Sequence, residues 1–375
     1  MNALTRALET LRADGAVIVD LTESNPTRAG IPYPRGLLDA LADERATRYE
    51  PHPLGLPSAR EAVAADQRRR GAKVDPAHVV LTASTSEAYG WLFKLLCNPG
   101  ESVLVPCPSY PLFEHLARLE GIRAEPYALD YHGRWMIDSG ALANAPDDTR
   151  ALVVVSPNNP TGSYVKADEL RRLAAICRER RWALVADEVF ADYALDAETP
   201  LTDLASRSEV LAFTLAGLSK TVGLPQVKLG WIVVGGPPAD RAAALSGLEL
   251  VADTYLSSAM PVQLAAPELL RAGMSVRSAI QDRIRRNLRT LRAATRACPA
   301  CEVLSVEGGW SAVVRVPSTR DEERLVVDLL ERERILVYPG YFFNFPREAY
   351  LVVSLLPPAS TFTDASARLL RFVSH

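Results

Sequence analysis

The stretch Leu218-Ser-Lys-Thr-Val-Gly-Leu-Pro-Gln-Val-Lys-Leu-Gly230, with Lys220 at its reactive point, decides how this chain is interpreted. It closes the apolar run Val210–Leu218, and its Gly and Pro residues predict a loop leaving a strand. A lysine held in such a place is desolvated, which lowers the pKa of its amine and makes it a nucleophile toward carbonyls. A surface lysine beside a turn would show the same local pattern, so the context has to decide between the two.

Composition excludes several classes of protein. The chain has 375 residues, of which 48% are hydrophobic and 23% charged, so it can bury a large core and divide into two domains. A net charge of −3 supplies no basic surface for nucleic acid. The first residues, MNALTRALETLRADG, contain no uninterrupted apolar segment, and no later run reaches membrane-spanning length. We therefore expect a cytoplasmic protein with neither nucleic acid nor membrane as a partner.

The cysteines favour a reducing compartment and no metal. There are five of them, an odd number scattered through a long chain, which indicates free thiols. Only Cys298 and Cys301 have a metal-like spacing, and they have neither a second pair nor a histidine cluster beside them. We therefore expect no metal site.

Short apolar runs alternate with helix-length periodic segments through most of the chain. This pattern predicts an α/β fold with a mostly parallel central sheet. The strands are predicted at Val79–Thr82, Ser102–Val105, Ala151–Ser156, Ala183–Asp187, Val210–Leu215 and Trp231–Val234.

The two ends of the chain differ from this centre. Residues Asn25–Pro34 are too rich in proline for regular structure and predict an extended arm or a crossing loop. Gly273–Ala297 predicts a long helix between domains, followed by a small α+β domain. We therefore divide the chain into an arm with part of the small domain (1–45), a large domain (46–272), and an interdomain helix with the small C-terminal domain (273–375).

A cluster of hydroxyl residues follows the first strand of the predicted sheet. Ser84, Thr85 and Ser86 precede the helix-like run Glu87–Leu96, and the start of a helix offers free N–H groups to an anion. The three residues could therefore hold a phosphate. Helix capping is the alternative role for serine and threonine at such a place.

Three further strand ends carry groups suited to a ligand site, as open α/β sheets bind their ligands there. Tyr110 follows one strand on a proline-stiffened turn, and Asn159 lies in Ser-Pro-Asn-Asn-Pro-Thr-Gly after another. Packing and a plain β-turn explain these two equally well. Asp187 ends an apolar strand, where an unpaired carboxylate would be costly, so a cation is expected beside it.

Taken together and in this order, the motifs resemble those of the class I/II aminotransferases, pyridoxal-phosphate enzymes of fold type I related to aspartate aminotransferase. The resemblance runs from Tyr49–Gly55 through SPNNPTG, ADEVF and LSK to Val337–Phe343. It implies that Lys220 carries pyridoxal 5′-phosphate as a Schiff base and acts as general base and acid. It also implies that Asp187 pairs with the pyridine nitrogen, so that the ring withdraws electrons.

The same resemblance assigns the remaining cofactor contacts. Asn159 would donate to the phenolic oxygen of the ring, and Tyr110 would stack on the ring face. Thr85 and Ser86 would hold the phosphate. Tyr49 would reach the phosphate of a second copy, which implies a homodimer.

Four positions depart from the family pattern. Phe190 replaces a common tyrosine, Gly217 a phosphate-binding serine, and Lys228 an arginine that usually grips the phosphate. Val352 stands where the family places the arginine that binds the substrate's α-carboxylate. Arg28, in the N-terminal arm, is the candidate replacement; a solvated surface arginine is the alternative.

The sequence therefore predicts an aminotransferase that moves an amino group from an amino acid to a keto acid. A lyase or decarboxylase on the same fold is the alternative, favoured by the loss of arginine at position 352. A non-catalytic pyridoxal-phosphate sensor of the kind fused to DNA-binding domains is a third interpretation. The near-terminal start of the resemblance and the low basic charge argue against it.

Overall fold

The computed structural model describes residues 2–195 and 209–374. Within these residues the strands are β1 (Val19–Asp20), β2 (Val79–Thr82), β3 (Ser102–Cys107), β4 (Arg123–Tyr131), β5 (Trp135–Ile137), β6 (Thr149–Val155), β7 (Ala183–Asp187), β8 (Ala212–Gly217), β9 (Gly230–Gly235), β10 (Glu302–Val303), β11 (Ser311–Arg315), β12 (Ile335–Leu336), β13 (Tyr338–Pro339) and β14 (Tyr350–Ser354).

The α-helices separate and flank these strands. They are α1 (Ala3–Ala13), α2 (Pro57–Arg69), α3 (Thr85–Leu96), α4 (Phe113–Leu119), α5 (Ala167–Arg180), α6 (Leu218–Thr221), α7 (Pro238–Tyr255), α8 (Met260–Ala272), α9 (Met274–Arg296), α10 (Glu322–Glu333) and α11 (Ala359–Val373).

An eight-stranded sheet forms the centre, in the order β2-β9-β8-β7-β6-β3-β4-β5. Neighbours from β8 to β4 pair in parallel, whereas β9 and β5 run against their neighbours. The strands are almost fully apolar because helices cover both faces. The predicted α/β fold with a mostly parallel sheet is confirmed.

Parallel strands bring their carboxyl ends to one edge of the sheet, and the candidate functional residues lie at this edge. The residues that follow or end these strands there are Thr85 after β2, Tyr110 after β3, Asn159 after β6, Asp187 ending β7 and Lys220 after β8. Open α/β sheets bind ligands at this edge. The topology therefore assembles residues that are far apart in sequence.

The C-terminal part of the chain builds a second, smaller layer. Strands β10, β11, β14 and β13 form a four-stranded antiparallel sheet, and α10 and α11 pack together beside it. The N-terminal segment joins this part, because β1 pairs in parallel with β12 and α1 packs on α10. We propose that these segments correspond to the domains predicted from the sequence, with boundaries at 45/46 and 272/273.

The structure corrects two local predictions. Lys220 lies in the one-turn helix α6 and not in a loop, because β8 turns tightly after Gly217 and the Leu218 N–H donates to the Leu229 carbonyl at 2.9 Å. The apolar run Ala16–Leu21 predicts a strand of that length, but strand β1 has only two residues, since it pairs only with the equally short β12. Residues 25–34 contain neither helix nor strand, as their prolines predict, and residues 26–30 form turns.

Within the described ranges, no helix is long and apolar enough to cross a membrane. All five cysteines fall in those ranges, and each is a free thiol.

Two paired glycines allow the site elements to approach one another. Gly217 of β8 pairs with Gly230 of β9. A Cβ atom on Gly230 would lie 2.8 Å from the Ser84 carbonyl carbon and 3.0 Å from the Thr85 nitrogen, and one on Gly217 would lie 2.9 Å from the Leu229 oxygen. The serine common in the family at position 217 therefore has no room here.

We expect Gly230→Ala to lower the free energy of unfolding by about 1–3 kcal/mol, because its methyl group would push against the backbone at the start of α3. Urea denaturation measures this change. Gly140→Ala is the matched control, since Gly140 is exposed, has helical backbone angles and would meet only the Asp138 side chain. Equal stability of the two variants would contradict the close packing.

Candidate active site

A cavity of about 220 Å³ opens at the carboxyl edge of the central sheet. The predicted residues that line it are Thr85, Tyr110, Asn159, Asp187 and Lys220. Its other walls are mostly aromatic or carry hydroxyl groups. The structure thus brings together an amine, a carboxylate, an amide, a tyrosine and a helix start.

The Asp187 carboxylate opens onto the cavity and is otherwise enclosed by protein. The Tyr89 hydroxyl donates to Oδ2 at 3.0 Å, and the Val189 N–H donates to Oδ1 at 3.1 Å. Burial raises the pKa of Asp187 from 3.8 to about 6, against these hydrogen bonds and the attraction of Lys220. The carboxylate is thus held in place, but its negative charge is poorly compensated by the surrounding protein.

The Lys220 amine is desolvated in the same cavity. Burial lowers its pKa from 10.5 to about 8, while the charge of Asp187 acts in the opposite direction. Its Nζ lies 4.7 Å from the ring centroid of Trp310 and 5.4 Å from that of Phe190, and the two rings meet edge to face. Aromatic faces favour the ammonium form, so these rings keep the amine in place.

Buried hydrogen bonds fix the backbone around Lys220. The Tyr193 hydroxyl donates to the Lys220 carbonyl at 2.5 Å. The Arg277 Nε–H donates to the Thr221 carbonyl at 2.7 Å, and the same guanidinium pairs with Asp66 at 3.1 Å. Helices α2 and α9 therefore hold the turn that presents the lysine.

A second buried ion pair supports the other side of the site. Arg70, at the end of α2, pairs with Glu188, the residue after Asp187. Both side chains are almost fully enclosed. The same helix end carries Arg69, which pairs with Asp192 in the following turn. The segment after β7 is therefore tied to α2 by charge.

Side-chain hydrogen bonds also join the two loops that carry Tyr110 and Asn159. The Ser109 hydroxyl donates to the Asn158 Oδ1 at 2.9 Å, and the Asn158 amide donates to the Pro108 carbonyl at 3.0 Å. The Ser311 hydroxyl donates to the Asn159 Oδ1 at 3.4 Å. Tyr110 remains half exposed at the cavity wall.

The hydroxyl residues at the start of α3 have different roles: one caps the helix, and another lines the cavity. The Ser84 hydroxyl accepts from the Glu87 N–H at 3.1 Å, so Ser84 caps α3. Thr85 lines the cavity, and Ser86 is the next residue of the helix. Lys228 is exposed and precedes the lining residue Leu229, with a left-handed φ of 62°.

Two further candidate residues, and the position where the family carries its carboxylate-binding arginine, also lie away from the cavity wall. Tyr49 is 80% exposed and borders a separate cavity of about 190 Å³. Arg28 is exposed and pairs with Glu23 at 3.1 Å, while its neighbour in the arm, Ser24, lines the cavity. Val352 is buried in the core, paired with Val313 across the small sheet.

The family model for aminotransferase class I and II matches residues 17–360. The chain belongs to this family. It is an aminotransferase, and the resemblance read from its motifs is confirmed.

Named relatives and solved structures agree with this membership. A glutamate-pyruvate aminotransferase from Haemophilus influenzae is 27% identical over 97% of this chain and 92% of its own length. An alanine aminotransferase from Mycobacterium tuberculosis is 28% identical over 97% of this chain and 87% of its own length. An aminotransferase from Escherichia coli has the same fold, with a TM-score of 0.85 at 24% identity over 100% of this chain and 95% of that one.

Several residues of this aminotransferase site carried no signal in the sequence. Trp310 and Tyr193 enclose Lys220 from segments outside the recognised motifs, and Tyr89 reaches Asp187 from the helix α3. Arg277 lies in the helix predicted at Gly273–Ala297, but its contacts with the Thr221 carbonyl and with Asp66 join segments far apart in the chain. No local residue pattern marks such contacts.

The burial of Asp187 predicts a pH dependence of stability in the cofactor-free protein. Its folded pKa lies above its unfolded value, so the folded state binds more protons between about pH 4 and 6, and stability falls as the pH rises through that window. Asp187→Asn removes this loss and should stabilise the cofactor-free protein at pH 7 by about 2–3 kcal/mol. Below about pH 4 the two proteins should have the same stability.

Denaturant titrations across this pH range check the expectation. Asp282→Asn is the control, since it replaces an exposed carboxylate on α9. An Asp187→Asn protein that is no more stable than the parent at pH 7 would show that the buried carboxylate carries no such cost.

Proposed function

We propose that this aminotransferase uses pyridoxal 5′-phosphate bound at Lys220 to move an amino group from an amino acid to a keto acid. One observation carries the proposal: a desolvated amine and a buried carboxylate face the same cavity at the carboxyl edge of the sheet.

The residues present fit this cofactor. Pyridoxal phosphate has an aldehyde, a ring nitrogen that can carry a proton, and a phosphate. Lys220 offers the amine for the aldehyde. Asp187 is a buried anion that needs a cation, which a protonated ring nitrogen supplies. Thr85 stands at the N-terminus of the 12-residue helix α3, which favours an anion.

When bound, the cofactor supplies an electrophilic carbon and an electron-withdrawing ring. With its pKa near 8, the Lys220 amine can accept and return a proton close to neutral pH, as a general base and acid must. Asp187 would keep the ring nitrogen protonated. Tyr110 would lie against the ring, and Asn159 would donate to the phenolic oxygen.

We propose that the phosphate is held by the start of α3 through Thr85 and Ser86, with Lys228 adding positive charge. Phe190 has no hydroxyl to offer the phenolic oxygen, and its ring packs on Trp310 instead. Asn159 is therefore the proposed donor at that oxygen.

The donor and acceptor are proposed from the relatives' names. Alanine and glutamate, with pyruvate and 2-oxoglutarate as acceptors, are the first pairs to test. Val352 cannot bind the substrate carboxylate, since it is apolar and buried. We propose Arg28 for this role, because its side chain is 71% exposed and its ion pair with Glu23, open to water on the arginine side, can be exchanged for a substrate carboxylate.

We further propose that the enzyme works as a homodimer in the cytoplasm. Exposed apolar side chains, Leu250, Tyr255 and Leu256, lie on or next to α7, and Leu256 shares a cavity wall with Tyr49. Burial of this surface by a second copy would carry Tyr49 toward the partner's phosphate. The free thiols suit a reducing compartment.

Lys220→Ala should lower the turnover of alanine or glutamate by at least about 10³-fold, because it removes both the covalent anchor and the proton carrier. The assay follows the spectral change from the pyridoxal to the pyridoxamine form when a donor is added without an acceptor. Lys73→Ala, at an exposed position, is the control. Turnover by Lys220→Ala at the parental rate would refute the assignment of Lys220. Release of CO₂ by the parent enzyme, without the spectral change to the pyridoxamine form, would indicate a decarboxylase.

Arg28→Ala should raise the KM for an amino-acid donor by roughly tenfold and leave kcat nearly unchanged, the result expected when uniform substrate binding is lost. Steady-state kinetics with Arg35→Ala as control measure the effect, since Arg35 is an exposed arginine of the same arm. An unchanged KM would remove Arg28 from the substrate site.

A further inference from the structure

Tyr89 is a buried tyrosine whose hydroxyl reaches the candidate active site from behind. It lies on α3 and is only 1% exposed. Its ring centroid is 5.8 Å from that of Phe93 and 5.4 Å from that of Phe113, in an edge-to-face contact with the latter. Its hydroxyl donates to the Asp187 Oδ2 at 3.0 Å.

Packing alone does not account for this tyrosine. A phenylalanine would fill the same aromatic cluster without bringing a polar atom into it. A buried hydroxyl without a hydrogen-bond partner is costly. The Tyr89 hydroxyl avoids this cost because it donates to the Asp187 carboxylate. Hydrogen bonds to an ionised acceptor are also stronger than those between neutral groups.

The two donors to Asp187 come from different parts of the fold. The Val189 N–H belongs to the turn after β7 and holds Oδ1, whereas Tyr89 belongs to α3 and holds Oδ2. With both oxygens engaged, rotation of the carboxylate costs a hydrogen bond. The side chain is thereby fixed in the orientation that lines the cavity.

We propose that Tyr89 is a positioning residue of this enzyme, and that its hydroxyl orients the Asp187 carboxylate toward the cavity and keeps it ionised. Its consequence for catalysis rests on the proposed function, in which Asp187 meets a protonated ring nitrogen. Tyr89 itself need not touch the cofactor or the substrate.

The other charged and titratable groups around the pair are few. Lys220 approaches Asp187 from α6, and Glu188, the next residue in the chain, is paired with Arg70. Tyr127 on β4 is close enough to act on Tyr89 electrostatically. Burial and the charge of Asp187 raise the pKa of Tyr89 well above 10, so its hydroxyl remains a neutral donor.

The direction of the effect follows from these contacts. Donation by Tyr89 favours the ionised form of Asp187 and thus lowers its pKa, while burial raises it to a net value of about 6. Without the hydroxyl, the pKa should rise toward neutrality. Asp187 would then be partly protonated at pH 7, and the neutral fraction could not pair with a protonated ring nitrogen.

Tyr89→Phe tests the proposal in the cofactor-free protein. Carboxyl ¹³C NMR of aspartate-labelled protein, with the Asp187 signal assigned from Asp187→Asn, should show the pKa of Asp187 raised by about one unit. Tyr127→Phe is the matched control, because Tyr127 is equally buried but donates to the Val153 carbonyl at 2.9 Å. It should leave the pKa of Asp187 in place.

The holoenzyme gives the second readout. Tyr89→Phe should bind pyridoxal phosphate several-fold more weakly, and the acidic limb of its kcat profile should move about one unit toward alkaline pH. Should Tyr89→Phe fail to fold, wild-type protein labelled with 3-fluorotyrosine, a stronger donor, should show a lowered pKa for Asp187.

The outcomes separate this inference from the proposed function. An unchanged pKa of Asp187 in Tyr89→Phe, an equal shift in Tyr127→Phe, or an unchanged pKa with 3-fluorotyrosine would overturn the role of Tyr89 and leave the transaminase proposal standing. A wild-type protein that neither binds pyridoxal phosphate nor transaminates would refute the proposed function, whereas the NMR result in cofactor-free protein would still decide whether Tyr89 controls Asp187.

Discussion

The chemistry of the candidate active site depends most on the enclosure of an amine and a carboxylate, Lys220 and Asp187, in one desolvated cavity. Burial moves the pKa of each toward neutrality, to about 8 and about 6. Such an arrangement is unfavourable by itself, since neither charge is well solvated. Its cost is consistent with a site that gains stability when a ligand brings a complementary charge.

Packing and hydrogen bonds outside the cavity stabilise this unfavourable site. The carboxyl edge of the sheet brings the strand ends into one place, and the paired Gly217 and Gly230 let β8, β9 and the start of α3 approach closely. Arg277 and Tyr193 then fix the carbonyls of the lysine turn. Arg277 of α9 is a buried charged group that also pairs with Asp66 of α2, and removing one of its partners would be costly. Helices α2 and α9 therefore contribute to the rigidity of the site.

The sequence predicts the sheet and the residues at its strand ends, because apolar periodicity and strand-end motifs are local properties. Six of the eight strands of the central sheet are predicted within two residues of their observed bounds, whereas β4 and β5 are not predicted. Asp187 and Lys220 both line the cavity, as predicted. Tyr89 and Trp310 could not be predicted, since their contacts cross between elements distant in the chain. The sequence predicts Lys220 in a loop, whereas its helical turn is set by tertiary hydrogen bonds that no local propensity reports.

The central claim is that Lys220 is the residue that binds pyridoxal phosphate covalently. It is tested most directly by incubating the protein with the cofactor, reducing it with borohydride and mapping the modified peptide by mass spectrometry. The account predicts one pyridoxyl group at stoichiometric yield on Lys220, within the peptide that contains LSKTVG. Modification of Lys228 or another lysine in place of Lys220, or no stoichiometric modification, would contradict it.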